Sequence, residues 1–265
     1  MKSFNSRLSD QIKAKRSWLC VGLDINPENL SKETPTLDDL KSHTKMVIDA
    51  TSEYAAAFKP NLAFFERWGS KGFQWLEETM DHIDNDTLTI GDAKRGDIGH
   101  TAQQYAESLF NHFGFDAVTI NPYMGRDAID PFIDNPEKGA FILCRTSNAS
   151  GGDLQNIEGN KQRLFETVAE YCAGLNDNDN VGLVVGATVS GEISTIREKA
   201  IGLPMLIPGV GAQGGDLEAS LTAGNTDGAA LINVSRGICF SGDQSEEAIQ
   251  NAAKHYVEKM REIIE

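Results

Sequence analysis

The chain has 265 residues, of which 40% are hydrophobic and 24% are charged, and its formal net charge is -15. These values are typical of a globular protein that is long enough to bury a large core. The negative charge disfavours nucleic acids and anionic membranes as partners, whereas a small anionic ligand needs only a local positive site.

The N-terminal segment "MKSFNSRLSDQIKAKRSW" is polar and lacks the apolar core of a signal peptide. No window approaches the roughly 18 continuous apolar residues of a membrane span, so we expect a cytoplasmic protein. The cysteines show no C-x-x-C spacing and most lie in apolar, strand-like runs, which predicts reduced thiols packed as small hydrophobic side chains. They are Cys20, Cys144, Cys172 and Cys239.

Apolar runs typical of strands alternate with helical patterns along the whole chain. The predicted strands are Trp18–Asp24, Ala56–Asn61, Thr87–Lys94, Ala117–Tyr123, Ala140–Thr146, Val181–Thr188, Met205–Val210 and Ala229–Ser235. Apolar stripes at helical spacing predict helices within residues 37–54 and within residues 161–175, and a long helix of mixed charge is predicted from about Glu246 to Ile264.

Eight strands alternating with helices predict a parallel sheet with helical crossovers. A doubly wound open sheet fits the same alternation. The count of eight at this length favours a closed (β/α)8 TIM barrel of the α/β class, and no G-x-G-x-x-G follows the first strand, where a dinucleotide-binding sheet would carry it. Because no Pro/Ser-rich linker interrupts the pattern, we expect residues 1–265 to form a single barrel domain.

The stretch "GDAKRGDIG" at residues 91–99 places two carboxylates and two cations directly after the apolar end of the third strand. Alternate side chains of a strand share a face, so Ile90, Asp92 and Lys94 point the same way. Burying charge is costly unless the charges are paired. Asp92 and Lys94 therefore form either a structural ion pair or part of a reaction site.

Polar residues gather where the predicted strands end, which is where (β/α)8 barrels carry their active sites. They are Asp24, Lys59, Asn61, Asp92, Lys94, Asp97, Asn121, Arg145, Thr146, Ser147, Asn148, Thr188, Ser190, Ser235 and Arg236. Taken singly, Asp24 could cap a turn, Lys59 could lie on the surface and Arg236 could cap a helix. Their shared position predicts one polar site.

The segment "IPGVGAQGGD" at residues 207–216 is rich in glycine, which lets backbone approach a ligand and present free N–H groups. The alternative is a tight turn before a helix capped by Asp216. The segment follows the seventh strand and "NVSRG" follows the eighth, and these two loops form the usual phosphate site of such barrels. Gln213 and Arg236 would supply an amide and a guanidinium for that phosphate.

These motifs together resemble the orotidine 5′-phosphate decarboxylase family. The resemblance rests on Asp24, Lys59, the segment "DAKRGDIG", and "PGVGAQGGD" followed by Arg236. The D-x-K-x-x-D pattern of Asp92, Lys94 and Asp97 at the end of a third strand is distinctive of that family. The segment "FKPNLAFFE" is similar to the longer, bacterial-type branch, which often departs from the K-V-G form after the second strand.

The resemblance implies cofactor-free decarboxylation of orotidine 5′-phosphate to uridine 5′-phosphate, the last step of de novo pyrimidine nucleotide synthesis. The implied catalytic residues form a charged network of Lys59, Asp92, Lys94 and Asp97. Within it, Lys94 would stabilise a C6 carbanion and protonate it. The resemblance also implies a homodimer in which Asp97 reaches the partner's site.

The implied substrate-binding residues are Asp24, Ile98, Thr101, Ser147, Pro208, Gln213, Arg236 and Gly237. By the resemblance, Asp24 and Lys59 would bind ribose hydroxyls, and Ile98 and Thr101 would reach the partner's site together with Asp97. Gln213, Arg236 and the backbone near Gly237 would hold the phosphate. Ser147 is the expected pyrimidine contact, with Thr146 and Asn148 as alternatives.

Two other functions fit parts of the pattern. Ketogulonate-phosphate decarboxylases and hexulose-phosphate synthases resemble this chain around D-x-K-x-x-D but use Mg²⁺ to stabilise an enediolate. Lys59 and the Ser/Thr/Asn run after the fifth strand disfavour that alternative. A nucleotide-phosphate-binding protein with a structural ion pair is the non-enzymatic alternative.

Overall fold

The computed structural model describes residues 2–159, 161–210 and 216–265. Within them, eight parallel strands form a closed barrel, which confirms the predicted fold class. The strands are β1 Leu19–Leu23, β2 Ala57–Pro60, β3 Leu88–Arg95, β4 Ala117–Ile120, β5 Gly139–Arg145, β6 Glu158–Gly159, β7 Gln162–Arg163, β8 Val181–Val185, β9 Met205–Pro208 and β10 Ala230–Val234. The short strands β6 and β7 form an antiparallel hairpin outside the barrel.

Helices connect the barrel strands and surround them. Those in the described residues are α1 Phe4–Lys15, α2 Leu37–Thr51, α3 Leu62–Glu66, α4 Ser70–His82, α5 Gly99–Glu107, α6 Asp130–Ile133, α7 Gly152–Gln155, α8 Leu164–Ala173, α9 Ser190–Lys199, α10 Leu217–Asn225, α11 Arg236–Cys239 and α12 Glu246–Ile264. The helices predicted within residues 37–54 and 161–175 are α2 and α8, and α12 has its predicted bounds.

The barrel closes where β1 pairs with both β2 and β10 in parallel register. Every residue of β1, β4, β8 and β10 is buried, because one face lines the barrel interior and the other packs under the helices. Burial on both faces explains why these strands read as continuous apolar runs in the sequence. Several predicted strands extend a few residues too far, because the polar residues at their ends belong to loops.

A helix that the sequence analysis did not predict closes the N-terminal end of the barrel. The side chain of Ser3 caps it by accepting a hydrogen bond from Ser6 N. Phe4, Leu8 and Ile12 lie on one stripe and are buried against the first residues of the strands. Their spacing of four residues is the signal that could have revealed α1 within its polar surroundings.

The last turn of α12 lies beside the end of α1. Arg16 forms an ion pair with Glu265, and Arg261 Nε donates to the backbone oxygen of Arg16 at 2.9 Å. The C-terminal helix therefore ends on the same side of the barrel that α1 closes, opposite the carboxyl ends of the strands.

The four cysteines are free and buried, as their apolar surroundings predict. Burial raises the pKa of the Cys20 thiol to about 12, so this side chain stays protonated in the barrel interior. None of the helices in the described part of the chain is both long and apolar enough to cross a membrane.

Candidate active site

A cavity of about 440 Å³ opens at the carboxyl ends of the barrel strands. Its polar lining comes from Asp24, Asn26, Asn29, Lys59, Asn61, Asp92, Lys94, Thr119, Ser147, Asn233, Ser235 and Arg236. Its apolar lining includes Phe64, Leu143, Val184, Leu206, Pro208, Val210 and Phe240. The volume and the mixed lining fit a small polar ligand that also has an apolar part.

The carboxylate of Asp92 lies at the centre of the charged part of this cavity and accepts three hydrogen bonds. Lys59 Nζ lies 2.6 Å from Oδ2, Lys94 Nζ contacts Oδ1, and Thr119 Oγ1 lies 3.0 Å from Oδ1. The side chain of Lys59 is only 4% exposed, whereas that of Lys94 is 50% exposed. Lys59 thus anchors the carboxylate from below, and Lys94 presents its ammonium to the cavity.

The pairing keeps both buried groups charged. Burial acts to lower the pKa of Lys59, but the carboxylates of Asp92 and Asp24 outweigh it and raise that pKa above its ordinary value. Burial acts to raise the pKa of Asp92, but Lys59 and Lys94 outweigh it and hold that pKa well below its usual range. The opposite charges therefore more than compensate for the desolvation of each group.

This pairing predicts how stability depends on pH. Because the pKa of Asp92 is lower in the folded state, its stabilising effect is complete above the unfolded value of about 4 and is lost as the pH falls below it. We expect the free energy of unfolding, measured with urea, to decrease as the pH falls below about 4. This decrease per pH unit should be smaller in Asp92→Asn than in the wild type. The exposed Asp81→Asn is the control; equal slopes in wild type and Asp92→Asn would contradict the assignment.

Strand β3 is irregular where it carries these charges. Gly91 pairs with Val118 and Arg95 with Ile120, so three residues of β3 lie opposite the single residue Thr119 of β4. Within this bulge Lys94 has a φ of 48°, in the left-handed region that a lysine rarely adopts. Bulges beside active sites redirect side chains, and this one turns both Asp92 and Lys94 into the cavity.

Three buried oxygen atoms of the cavity wall have no hydrogen-bond partner in the described structure. They are Asp24 Oδ1, Asn233 Oδ1 and Ser235 Oγ. Buried polar atoms are rarely left unsatisfied in proteins. Oxygen acceptors at the ends of the neighbouring strands β1 and β10 suit the hydroxyl groups of a sugar.

Among the three candidates after β5, Ser147 lines the cavity. The segment after β8 fixes its position. Gly186 lies so close to it that a Cβ there would be 2.7 Å from Ser147 N, and Thr188 Oγ1 donates to Ser147 O at 3.2 Å. Thr146 instead hydrogen-bonds with Asn148 at 2.6 Å. The loop thus presents Ser147 and turns its two neighbours away.

Arg145 does not join the site, although it ends a barrel strand. Its Nε donates to Glu192 Oε2 at 2.7 Å, and its side chain is 8% exposed. Glu192 also binds Arg163 at 2.9 Å. Arg145 is therefore part of a structural ion network between β5, β7 and α9.

The loops after β9 and β10 border the other end of the cavity. Pro208 and Arg236 line it, and Gly209 has a φ of 99° that suits glycine. Gly237, the residue after Arg236, is not among the lining residues. Gln213 lies outside the described residues. Asp216 caps α10 by accepting from Ala219 N at 3.1 Å, as its alternative interpretation predicts.

Helix α11, which begins at Arg236, is held from behind by a buried histidine. His43 Nε2 lies 2.7 Å from the backbone oxygen of Cys239, and its ring stacks on Phe240, a lining residue. Burial lowers the pKa of His43, although the contact with Cys239 acts in the opposite direction. A neutral His43 must then carry its proton on Nε2 and donate to this carbonyl.

Asp97, Ile98 and Thr101 do not line the cavity of their own chain. Asp97 Oδ1 accepts from Ile98 N at 2.8 Å, Ile98 is 54% exposed, and Thr101 is exposed on α5. These three residues follow β3 beyond its carboxyl end and lie outside the lining of the cavity around Asp92.

The sequence analysis missed four polar lining residues: Asn26, Asn29, Thr119 and Asn233. Thr119 and Asn233 lie inside the apolar runs of β4 and β10, each one residue before the last residue of its strand. At that position both side chains line the cavity. A polar residue just before the end of an apolar strand was therefore the signal that could have identified them. Asn26 was hidden because it caps a short 3-10 helix, which is an ordinary loop role.

Comparisons with known proteins agree on one family. Residues 17–250 match the model of the orotidine 5′-phosphate decarboxylase / HUMPS family. The orotidine 5′-phosphate decarboxylase of Natronomonas pharaonis is 45% identical, covering 97% of this chain and 98% of that protein. The structure of Leishmania donovani OMP decarboxylase is 41% identical with a TM-score of 0.87, covering 98% of each chain. The structure of Leishmania donovani UMP synthase is 42% identical to this chain with a TM-score of 0.89. That match covers 99% of this chain and 57% of the UMP synthase chain.

Proposed function

The chain belongs to the orotidine 5′-phosphate decarboxylase / HUMPS family, and from this premise we propose that it decarboxylates orotidine 5′-phosphate to uridine 5′-phosphate. One observation carries the proposal: the carboxylate of Asp92 lies between the ammonium groups of Lys59 and Lys94 at the strand ends. We further propose that residues 1–265 act as one catalytic domain in the cytoplasm, in the last step of de novo pyrimidine nucleotide synthesis.

The reaction breaks the bond between C6 of the pyrimidine and its carboxylate, and the electron pair of that bond remains on C6. No neighbouring carbonyl delocalises this pair, so the forming carbanion must be stabilised electrostatically. An ammonium at Lys94 does so, because its attraction grows as charge moves from the carboxylate to the ring carbon. Lys94 then transfers a proton to C6, which completes uridine 5′-phosphate and leaves an amine that water reprotonates.

Asp92 has two roles in this proposal. It holds Lys94 charged and in place, since the two groups are in direct contact. In this proposal the substrate carboxylate binds beside the Asp92 carboxylate, so the two negative charges repel each other until CO₂ leaves. Two unit charges about 4 Å apart interact by roughly 4 kcal/mol at an effective dielectric constant near 20, so small displacements of Asp92 matter.

The rest of the cavity orients the nucleotide. We assign the ribose hydroxyls to Asp24 and Lys59, which both line the cavity and are close enough for the Asp24 carboxylate to raise the pKa of Lys59. Ser147 would contact the pyrimidine, because it alone of the three candidates after β5 lines the cavity. Arg236 and Pro208 border the phosphate position, to which the backbone near Gly237 and the side chain of Gln213 would contribute. Binding energy from these groups positions C6 against Lys94.

Ile98 and Thr101 are exposed and Asp97 is half-buried, and none of the three lines the cavity of its own chain. This position supports a homodimer in which these residues complete the partner's site. Other large apolar side chains at the same end of the barrel are exposed, among them Tyr123 at 86% and Met124 at 53%. Exposed apolar side chains that cluster at one end of a protein mark interaction surfaces. A second copy of the chain would cover them.

The test is the ultraviolet absorbance of orotidine 5′-phosphate mixed with purified protein and excess EDTA. We expect the substrate spectrum to be replaced by that of uridine 5′-phosphate, because no step of the proposal uses a metal. An unchanged spectrum from folded protein would contradict the proposal. Turnover of ketogulonate phosphate or hexulose phosphate on addition of Mg²⁺ would then identify a sugar-phosphate enzyme.

A further inference from the structure

We propose that Thr119 is a positioning residue that sets the geometry of both Asp92 and Lys94. The inference rests on the proposed decarboxylation and deepens it. Thr119 lies on β4, is 1% exposed, and is the single β4 residue opposite the bulge of β3. No other side chain in the described structure hydrogen-bonds to Asp92 and also to the backbone of Lys94.

The hydroxyl of Thr119 forms two hydrogen bonds, one as donor and one as acceptor. It donates its proton to Asp92 Oδ1 at 3.0 Å and accepts the backbone N–H of Lys94 at 3.0 Å. A hydroxyl has only one proton to donate. Thr119 therefore has no donor left for a substrate and acts through its two neighbours.

The backbone contact compensates for the irregular strand. Gly91 and Arg95 pair with β4, but the bulge leaves Lys94 between them without a ladder partner on that strand. The Thr119 hydroxyl accepts the Lys94 N–H instead. A left-handed conformation at a non-glycine residue costs free energy and persists only where the surroundings enforce it, and this hydrogen bond holds Lys94 at a φ of 48°.

The hydrogen bond from Thr119 to Asp92 prevents the carboxylate from rotating. Lys59 holds Oδ2 from below at 2.6 Å, and the Thr119 hydroxyl holds Oδ1 from the side. Without Thr119, Oδ1 would be bound only by Lys94, whose long side chain is half exposed and must move to protonate the substrate. Thr119 therefore keeps Asp92 in place while Lys94 acts.

The experiment compares Thr119→Val, which keeps the shape and branching but removes the hydroxyl, with Thr119→Ser, which keeps the hydroxyl. We expect kcat for orotidine 5′-phosphate to fall about 10- to 100-fold in Thr119→Val, with KM changed less than about threefold. Thr119→Ser should restore most of the lost kcat. Circular dichroism establishes that each variant is folded, and Thr119→Ala replaces the valine variant if that one does not fold.

Thr89 provides a matched control on β3. It is buried, donates to Asp116 Oδ2 and accepts from Asp116 N, both at 3.2 Å, at the opposite end of the same strand. Thr89→Val should lower the melting temperature without lowering kcat. An unchanged kcat in Thr119→Val, or a kcat in Thr119→Ser as low as in Thr119→Val, would overturn the inference. Absence of decarboxylation in the wild type would instead overturn the proposed function.

Discussion

Replacing Lys94 with alanine should reduce kcat by about five orders of magnitude while binding of uridine 5′-phosphate stays measurable. The variant loses both the cation that stabilises charge at C6 and the proton that quenches it. Asp92 keeps its partner Lys59, and the residues proposed to bind the ribose and the phosphate follow other strands, so we expect product binding to persist. Single-turnover absorbance measures the rate, and calorimetry measures the affinity for uridine 5′-phosphate.

Two further variants separate this effect from general disturbance. Lys41→Ala removes a lysine that pairs with Glu78 outside the cavity, and it should retain wild-type kcat. Lys94→Arg keeps a cation that does not give up its proton near neutral pH, so it should remain strongly impaired. Near-normal turnover in a folded Lys94→Ala protein would show that another group protonates C6.

Mixing the inactive variants Lys94→Ala and Asp97→Ala should restore up to about one quarter of wild-type activity. If Asp97 acts in the partner's site, a hybrid dimer has one site with both defects and one site with neither. Free exchange of equal amounts makes about half of the dimers hybrid, and half of their sites are intact. Activity is followed by absorbance while mass spectrometry of the intact dimers measures exchange.

The control for this experiment mixes Lys94→Ala with Asp92→Asn. Both residues lie in the cavity of their own chain, in direct contact. Every site of their hybrid dimer therefore carries one defect, and activity should not recover. If the Asp97→Ala mixture also fails to recover after complete exchange, Asp97 does not act in the partner's site.

The barrel could be predicted from the sequence because burial on both faces makes each strand a continuous apolar run. Asp24, Lys59, Asp92, Lys94, Ser147, Pro208 and Arg236 were expected at the site, and they line the cavity. Position at a strand end was sufficient for these residues because parallel strands end at the same rim.

Strand ends alone do not reveal which way a side chain points. Arg145 was grouped with the site but binds Glu192 outside it, whereas Thr119 was overlooked within an apolar run. The difference depends on the local register, and the alternation of apolar residues did not predict the bulge in β3. The contribution of Asp97 to a second chain depends on assembly and stays a prediction.

The contact between Arg16 and Glu265 places both terminal helices behind the barrel, away from the opening of the cavity. Another enzyme tethered to either terminus would therefore leave the path of nucleotide entry and CO₂ departure unobstructed. It would also leave the rim around Ile98 and Tyr123 free for a second subunit. This geometry makes a barrel of this kind easy to combine with a neighbouring catalytic module in one polypeptide, without redesign of its site.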